Sequence, residues 1–262
     1  MTSCSLSQNY NDPLGPVYVG NYAKEILVDD GSIKVVSWNI RYGDSIEAAI
    51  KTLSEAEELI GADILLLQEM DDAGVDQIAR SLSYNYVFYP TIYRSKHEKL
   101  QGNAILSRWP IRSHKKILLP KFKSEIMQTR IAVKAVIPVG SLEMDVYSVH
   151  LETIWLLPFA RNAQSDLLVN QINPAKYNIV GGDFNSWNDL IINHLDQQFK
   201  QVKMERVTEE AGHTYGTNGL LLTLDHIFSS EVMDYTAGVY RDSDARDHFP
   251  LWVELEMIRI RE

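Results

Sequence analysis

The stretch GGDFNSW, residues 181–187, sets Asp183 and Asn185 on either side of an aromatic residue at the end of an apolar run. Gly, Asp, Asn and Ser are also the common residues of tight turns, so the segment by itself reads equally well as a turn. It does not stand alone. Asn39, Glu69, His150 and Asp225 lie at the ends of other apolar runs, and RDHFP, just before the last run, adds Asp247 and His248. Each has an ordinary structural reading: a turn asparagine, a helix cap, a partner for a backbone amide, a packed histidine. Gathered at one edge, Glu69, Asp183, Asp225 and Asp247 would crowd four carboxylates, which must take up protons or bind a cation. An oxygen-rich set of this kind suits Mg²⁺, which keeps several waters and accepts one or two carboxylates plus substrate phosphate oxygens, whereas zinc would want more His or Cys.

Such a group has the parts for hydrolysing a phosphate ester. Mg²⁺ polarises a phosphoryl oxygen and stabilises charge on the leaving oxygen. A protonated imidazole can donate to a phosphate oxygen as charge builds there, and Asp225 could orient and charge His248. Asp183 would orient or deprotonate the attacking water, with Asn185 fixing geometry through an amide that does not titrate.

To carry these residues to one edge, the chain supplies repeated runs of β-formers that stop abruptly in polar residues. They include IKVVSWN (33–39), DILLLQE (63–69), MDVYSVHLE (144–152), YNIVGGDFN (177–185) and LLTLDHIF (221–228), with about nine or ten strands expected in all. Helical spacing predicts a helix after Asp44 that runs through Ile60 to a cap at Gly61. Others are expected through Val75–Leu82, PFARNAQSDLLVNQI and NDLIINHLDQQF. Strands in neighbouring groups with few helices favour an α/β fold of two mainly antiparallel sheets covered by helices. Residues 1–30 lack periodicity and read as an irregular arm, with 31–262 forming a single domain.

With 262 residues, 45% hydrophobic and 23% charged, the chain has the composition of an ordinary globular protein. Its 35 acidic and 25 basic residues give a net charge of −10, the wrong sign for gripping nucleic acid by bulk electrostatics. A cation held in an acidic site brings its own positive charge to a phosphate, so a phosphate substrate is not excluded. The single cysteine, Cys4, excludes an intrachain disulfide and a cysteine-based metal cluster. No apolar stretch is long enough to span a bilayer. A soluble monomer is expected, cytoplasmic or exported with its signal segment absent from this chain.

SWNIR, LLLQE, GNAILSRWPI, SVHLE, GGDFNSW, LDHIF and RDHFP, in this order from about residue 33 to 255, resemble the ordered motifs of the endonuclease/exonuclease/phosphatase superfamily. The resemblance implies the fold of pancreatic deoxyribonuclease, a four-layer α-β-β-α sandwich, and a Mg²⁺- or Mn²⁺-dependent phosphoesterase. It implies that Asn39 and Glu69 hold the metal with Asp247 close by, and that His150 and Asn185 contact the phosphate. It further implies that Asp183 serves the water, that Asp225 pairs with His248, and that Asn103 and Arg130 are further phosphate contacts. The family's final motif is commonly Ser-Asp-His, and here it reads Arg246-Asp247-His248. HLET followed by Arg161 and Gln164 is also similar to the tyrosyl-DNA phosphodiesterase branch, whose other motifs are not clearly present.

Those motifs set the reaction, and the loops set the substrate. TIWLLPFA (153–160) carries Trp155, Leu156, Leu157 and Phe159, which can pack under the next helix, stack on bases or enter a lipid interface. Trp187 has the same choices and would make a platform at the mouth of the site. Nucleic acid ends or small phosphodiesters rank above a lipid of the sphingomyelinase type, because the loop lacks the flanking Lys and Arg that an anionic membrane would favour. A catalytically inactive binding module on the same fold is the third reading; its usual mark, a lost ligand or histidine, is absent.

Overall fold

The computed structural model describes residues 7–24, 31–121, 128–153, 158–243 and 247–257. Strands β1 (Gln8–Asn9) and β2 (Tyr18–Asn21) precede β3 (Ser32–Asn39), α1 (Ile46–Glu55), β4 (Ile64–Met70) and α2 (Asp72–Leu82). Next come β5 (Asn85–Arg94), β6 (Lys99–Ser107), β7 (Ser113–Leu118), β8 (Ile131–Val139), β9 (Leu142–His150) and α3 (Pro158–Val169). The remainder is β10 (Tyr177–Asp183), α4 (Asp189–Gln201), β11 (Met204–Arg206), β12 (Tyr215–Thr217), β13 (Leu220–Leu222), β14 (Asp225–Ser230), β15 (Val232–Val239) and β16 (Leu251–Met257).

Side-chain alternation builds the layers. In β3, Ile33 and Val35 face one way and Val36 and Trp38 the other; in β4, Ile64 and Leu66 oppose Leu65 and Leu67. The first set meets Val133, Val146, Ile179 and Ile227 of the second sheet in a core between the sheets. The second set is covered by Ala49 and Leu53 of α1 and by Val75 and Ile78 of α2. On the far side, Leu168 of α3 and Leu195 and Phe199 of α4 cover Tyr147, Val149, Val180 and Phe228. The order of layers is therefore α-β-β-α, as the sequence resemblance implies.

One sheet runs β1-β5-β6-β4-β3-β16-β15 with β2 also on β5, the other β11-β14-β10-β9-β8-β7, and β12 and β13 form a separate ribbon. Among the described strands, β3–β4 and β9–β10 pair in parallel and the rest are antiparallel. Polar caps start two helices: Asp71 accepts from Gly74 N at α2, and Asn188 from Ile191 N at α4.

Three expectations change. The arm read as irregular carries β1 and β2, both hydrogen-bonded to β5, because backbone pairing to a sheet edge needs no side-chain period. Helix α1 ends at Glu55, where Ala56 is extended, and Gly61 with φ of 71° serves a following turn instead. LLTLDHIF is not one strand: β13 ends at Leu222 and β14 starts at Asp225. Short strands of this kind raise the total to sixteen among the described residues.

Candidate active site

The apolar rows between the sheets end in polar residues, and this places the site. Along β3 the inward row runs Ile33, Val35, Ser37, Asn39; along β9 it runs Met144, Val146, Ser148, His150; along β10 it runs Tyr177, Ile179, Gly181, Asp183. Register then sets β9, β10 and β14 abreast: Asp183 lies opposite His150 on one side and opposite Asp225 on the other. Asp225 opens an antiparallel strand, so its start meets the ends of its neighbours. All of these side chains are buried because they close one end of the core.

Asp183 is the hub. Its Oδ2 accepts from Asn39 Nδ2 at 3.1 Å and lies 3.5 Å from His150 Nε2 and 3.8 Å from His248 Nε2. Its Oδ1 accepts from the backbone N–H of Asn185 at 2.9 Å. Asn185, in the left-handed region with φ of 50°, donates its own amide to the Leu151 carbonyl at 3.2 Å. Behind the hub, His248 Nδ1 meets Asp225 Oδ2 at 2.9 Å. The His248 backbone carbonyl accepts from Trp38 Nε1 at 3.1 Å, and Tyr215 lies edge-on to the imidazole.

Burial and charge push the three titrating groups apart. Burial raises Asp183 to about 7, with His248 opposing and Asp225 adding to the rise. Burial alone would lower His248, but the charge and hydrogen bond of Asp225, with Asp183 and Asp247, outweigh it and raise His248 to about 10. His150 is held well below its ordinary value by burial, then by the positive charges of Arg130, His248 and Arg94. Near neutral pH the site thus holds one imidazolium, one neutral imidazole and a carboxylate poised to exchange a proton.

Glu69 reaches the site by a different route. Strict alternation would turn it outward, away from the Ile64–Leu66–Gln68 row. A bulge in the β4–β6 pairing between Leu67 and Met70, with Glu69 at φ of 58°, re-aims it. Glu69 then lines a narrow cleft together with Thr91, Gln101, Gly102, Asn103, Gln128, Arg130 and His150. Gly102 is required here, since a Cβ would sit 2.1 Å from the Tyr89 carbonyl oxygen.

The residues fit a hard cation on the side of Asn39 and Glu69. Asn39 commits its NH₂ to Asp183, which leaves Oδ1 buried without a hydrogen-bond partner among the described residues, the oxygen a cation would take. Glu69 makes no hydrogen bond or ion pair among the described residues. Asp183, Asp225 and His248 also hold ligand atoms within 4.8 Å of one another, but an imidazolium already occupies the space between those carboxylates. Asp247 is engaged by Arg41, Oδ2 to Nη1 at 3.4 Å.

The remaining expected contacts are spread more widely. Asn103 donates to the Ile131 carbonyl at 3.1 Å and ties β6 to the start of β8. Arg130 is buried rather than solvated, 3.7 Å from Glu152, and faces the cleft. Trp187 is half-buried, with the Arg161 guanidinium 5.1 Å from its ring, so part of its surface is covered. Trp155 and Arg246 lie outside the described residues, while Phe159, in the first turn of α3, is exposed. Sequence reasoning missed Thr214, whose Oγ1 accepts from the N–H groups of Leu224 and Asp225 at 3.0 Å each and fixes the start of β14. It also missed Arg94 and Gln101, which sit in no chemical motif.

Comparison with known proteins agrees with this fold. The model of the endonuclease/exonuclease/phosphatase family matches residues 36–250. No curated protein is a significant match in sequence. A family protein from Leptotrichia buccalis superposes with a TM-score of 0.69 at 16% identity, over 86% of this chain and 100% of the other. Truncated TDP2 of Caenorhabditis elegans gives 0.66 at 20% identity, over 86% and 97%. A mannosyl-6-phosphatase of Bacteroides thetaiotaomicron gives 0.65 at 18%, over 85% and 99%. Likeness at this identity carries the fold and leaves the substrate open, and from the family model over most of its length the chain belongs to the endonuclease/exonuclease/phosphatase family.

Proposed function

We propose that this protein is a divalent-metal-dependent phosphodiester hydrolase, acting on nucleic acid ends or small phosphodiesters by in-line attack of an activated water. The observation that carries the reading is the single oxygen Asp183 Oδ2, which Asn39, His150 and His248 approach together while Asp225 backs His248. Asn39 and Glu69 would hold Mg²⁺ or Mn²⁺, with Asp247 adjacent. When bound, the cation polarises a phosphoryl oxygen and steadies the leaving oxygen. Asp183, raised toward neutrality, takes the proton of the attacking water. His248 presents its positive charge to the phosphate as charge builds there, and its Nδ1 proton stays with Asp225. His150, neutral, and Asn185 position the phosphate without repelling the cation, and Trp187 stands beside that position.

A lipid phosphodiester is the second reading. Exposed Phe159, Leu190, Leu220 and Leu221 lie on the segments that follow His150 and Asn185 and precede Asp225. Among the described residues, no helix is long and apolar enough to cross a membrane.

Hydrolysis of bis(p-nitrophenyl) phosphate tests the reaction. Turnover is expected with Mg²⁺ or Mn²⁺ and lost with EDTA, and Asp183→Asn and His150→Ala each lower it by at least about a hundredfold. Unchanged rates in folded variants remove the catalytic assignment, and no turnover under any metal favours an inactive binding module. A panel of single- and double-stranded DNA, RNA, sphingomyelin and phosphoinositides at matched salt separates the substrates. Turnover of sphingomyelin alone replaces the nucleic-acid reading.

A further inference from the structure

The cleft that Glu69 and His150 share continues to a wall of Thr91, Gln101, Gln128 and Arg130. Gln101 is 2% exposed, and its Oε1 accepts from Arg94 Nε. A guanidinium carries donors only, so the amide oxygen must face Arg94 and the NH₂ must face away from it. That NH₂ has no hydrogen-bond partner among the described residues. Arg94 is fixed in turn: Nη2 donates to Gln128 Oε1 at 2.8 Å, and the guanidinium lies 5.1 Å from the centre of the Tyr42 ring. Gln128 Nε2 donates to Thr91 Oγ1 at 3.1 Å, and that hydroxyl donates to the Gln101 backbone carbonyl at 2.8 Å. The chain of contacts is closed except at Gln101 Nε2. On the same cleft Arg130, 6% exposed, leaves Nε without a hydrogen-bond partner among the described residues.

We propose that Gln101, set by Arg94, and Arg130 form an oxyanion subsite that receives an unesterified phosphoryl oxygen, so that the enzyme favours esters carrying a free terminal phosphate. The turnover part rests on the phosphoesterase reading; the binding part does not. The open positions on this wall are donors, while both glutamine side-chain oxygens are already taken by Arg94. A sugar or a base edge would ask for acceptors as well, whereas an oxyanion asks for donors alone. Arg94 and Arg130 bring positive charge to this wall, close enough to act on His150, while Glu69 shares the cleft where a cation would offset it. Bulges on both sides of Gly102, at Thr91 and at Glu69, shape the wall and keep the strand backbones close together there.

Inorganic phosphate is the probe. Gln101→Glu keeps the side-chain shape and the contact to Arg94, and turns the open donor into an acceptor; Gln101→Leu removes it without adding charge. Calorimetric titration of the full chain with phosphate, with and without Mg²⁺, is expected to show affinity at least about tenfold weaker in both variants, the scale of one hydrogen bond to a charged group. Thermal melts check that both stay folded. Equal phosphate affinity in wild type and in either folded variant overturns the subsite. In turnover, the ratio of p-nitrophenyl phosphate to bis(p-nitrophenyl) phosphate hydrolysis is expected to fall at least about tenfold in each variant. A wild type that hydrolyses the diester and never the monoester overturns the inference and leaves the phosphoesterase reading intact. Phosphate held through Gln101 with neither ester cleaved supports the subsite and overturns the phosphoesterase reading.

Discussion

His248 is charged because Asp225 stands behind it, and this can be separated from mere packing. Burial works against the imidazolium, while the Asp225 charge and hydrogen bond work for it and win. Replacing Asp225 with Asn keeps the volume and an acceptor but removes the charge. In Asp225→Asn the His248 ring is expected to titrate well below about 10, visible by NMR of ring-labelled histidine, and phosphodiester turnover falls at least about tenfold near neutral pH. An unmoved titration with lost turnover would mean that Asp225 acts through geometry alone. At this scale much was readable in the sequence: Asn39, His150, Asp183 and Asp225 converge because each ends or starts a strand, and Asn185 and His248 lie on the turns next to them. Gln101 and Arg94 were not readable. Their significance lies in which atom of an amide is left over after its neighbours are satisfied, and no residue pattern encodes that.

The elements position the site through register and through two places where regular pairing is broken. Gly182, with φ of 149°, lies so close to β9 that a Cβ would meet the Val149 carbonyl oxygen at 2.0 Å. Gly182→Ala is expected to destabilise by at least about 3 kcal/mol, from backbone displacement at the β9–β10 pair, measured by urea unfolding. Since Val149 and Gly182 immediately precede His150 and Asp183, the residual folded fraction should also turn over more slowly. The layer order and the helices over Val75–Leu82 and Asp189–Gln201 were legible, because apolar periodicity survives in any context. The bulge that re-aims Glu69 was not, since a strand pattern predicts alternation and carries no mark of the residue at which alternation fails. The same holds for β1 and β2, which owe their conformation to the edge of β5 rather than to their own composition.

Over the whole molecule, buried His226 and buried Asp183 pull stability in opposite directions with pH. His226, fully buried, is lowered to about 4 chiefly by burial, from an ordinary 6.5. The unfolded chain therefore binds the extra proton, and the His226 contribution, roughly 3 kcal/mol, is present above about 6.5 and lost as pH falls toward about 4. Asp183 has the reverse sign. Its folded value of about 7 exceeds 3.8, so its contribution, roughly 4 kcal/mol in the metal-free protein, is present below 3.8 and lost as pH rises through about 7. The two slopes offset one another across the acid range in the wild type. Asp183→Asn removes one of them and should lose stability more steeply on acidification, read from urea midpoints at several pH values between about 5 and 7.5 without metal. At the upper end of that range the variant should be the more stable protein. Because the inward rows of Ile, Val and Met run straight on into buried titrating groups, the candidate site and the core are built on the same strands. Selection for endurance under heat and selection for speed act on the same few side chains, and a lineage freed from the need to cleave anything would drift toward a quieter, hardier block of protein.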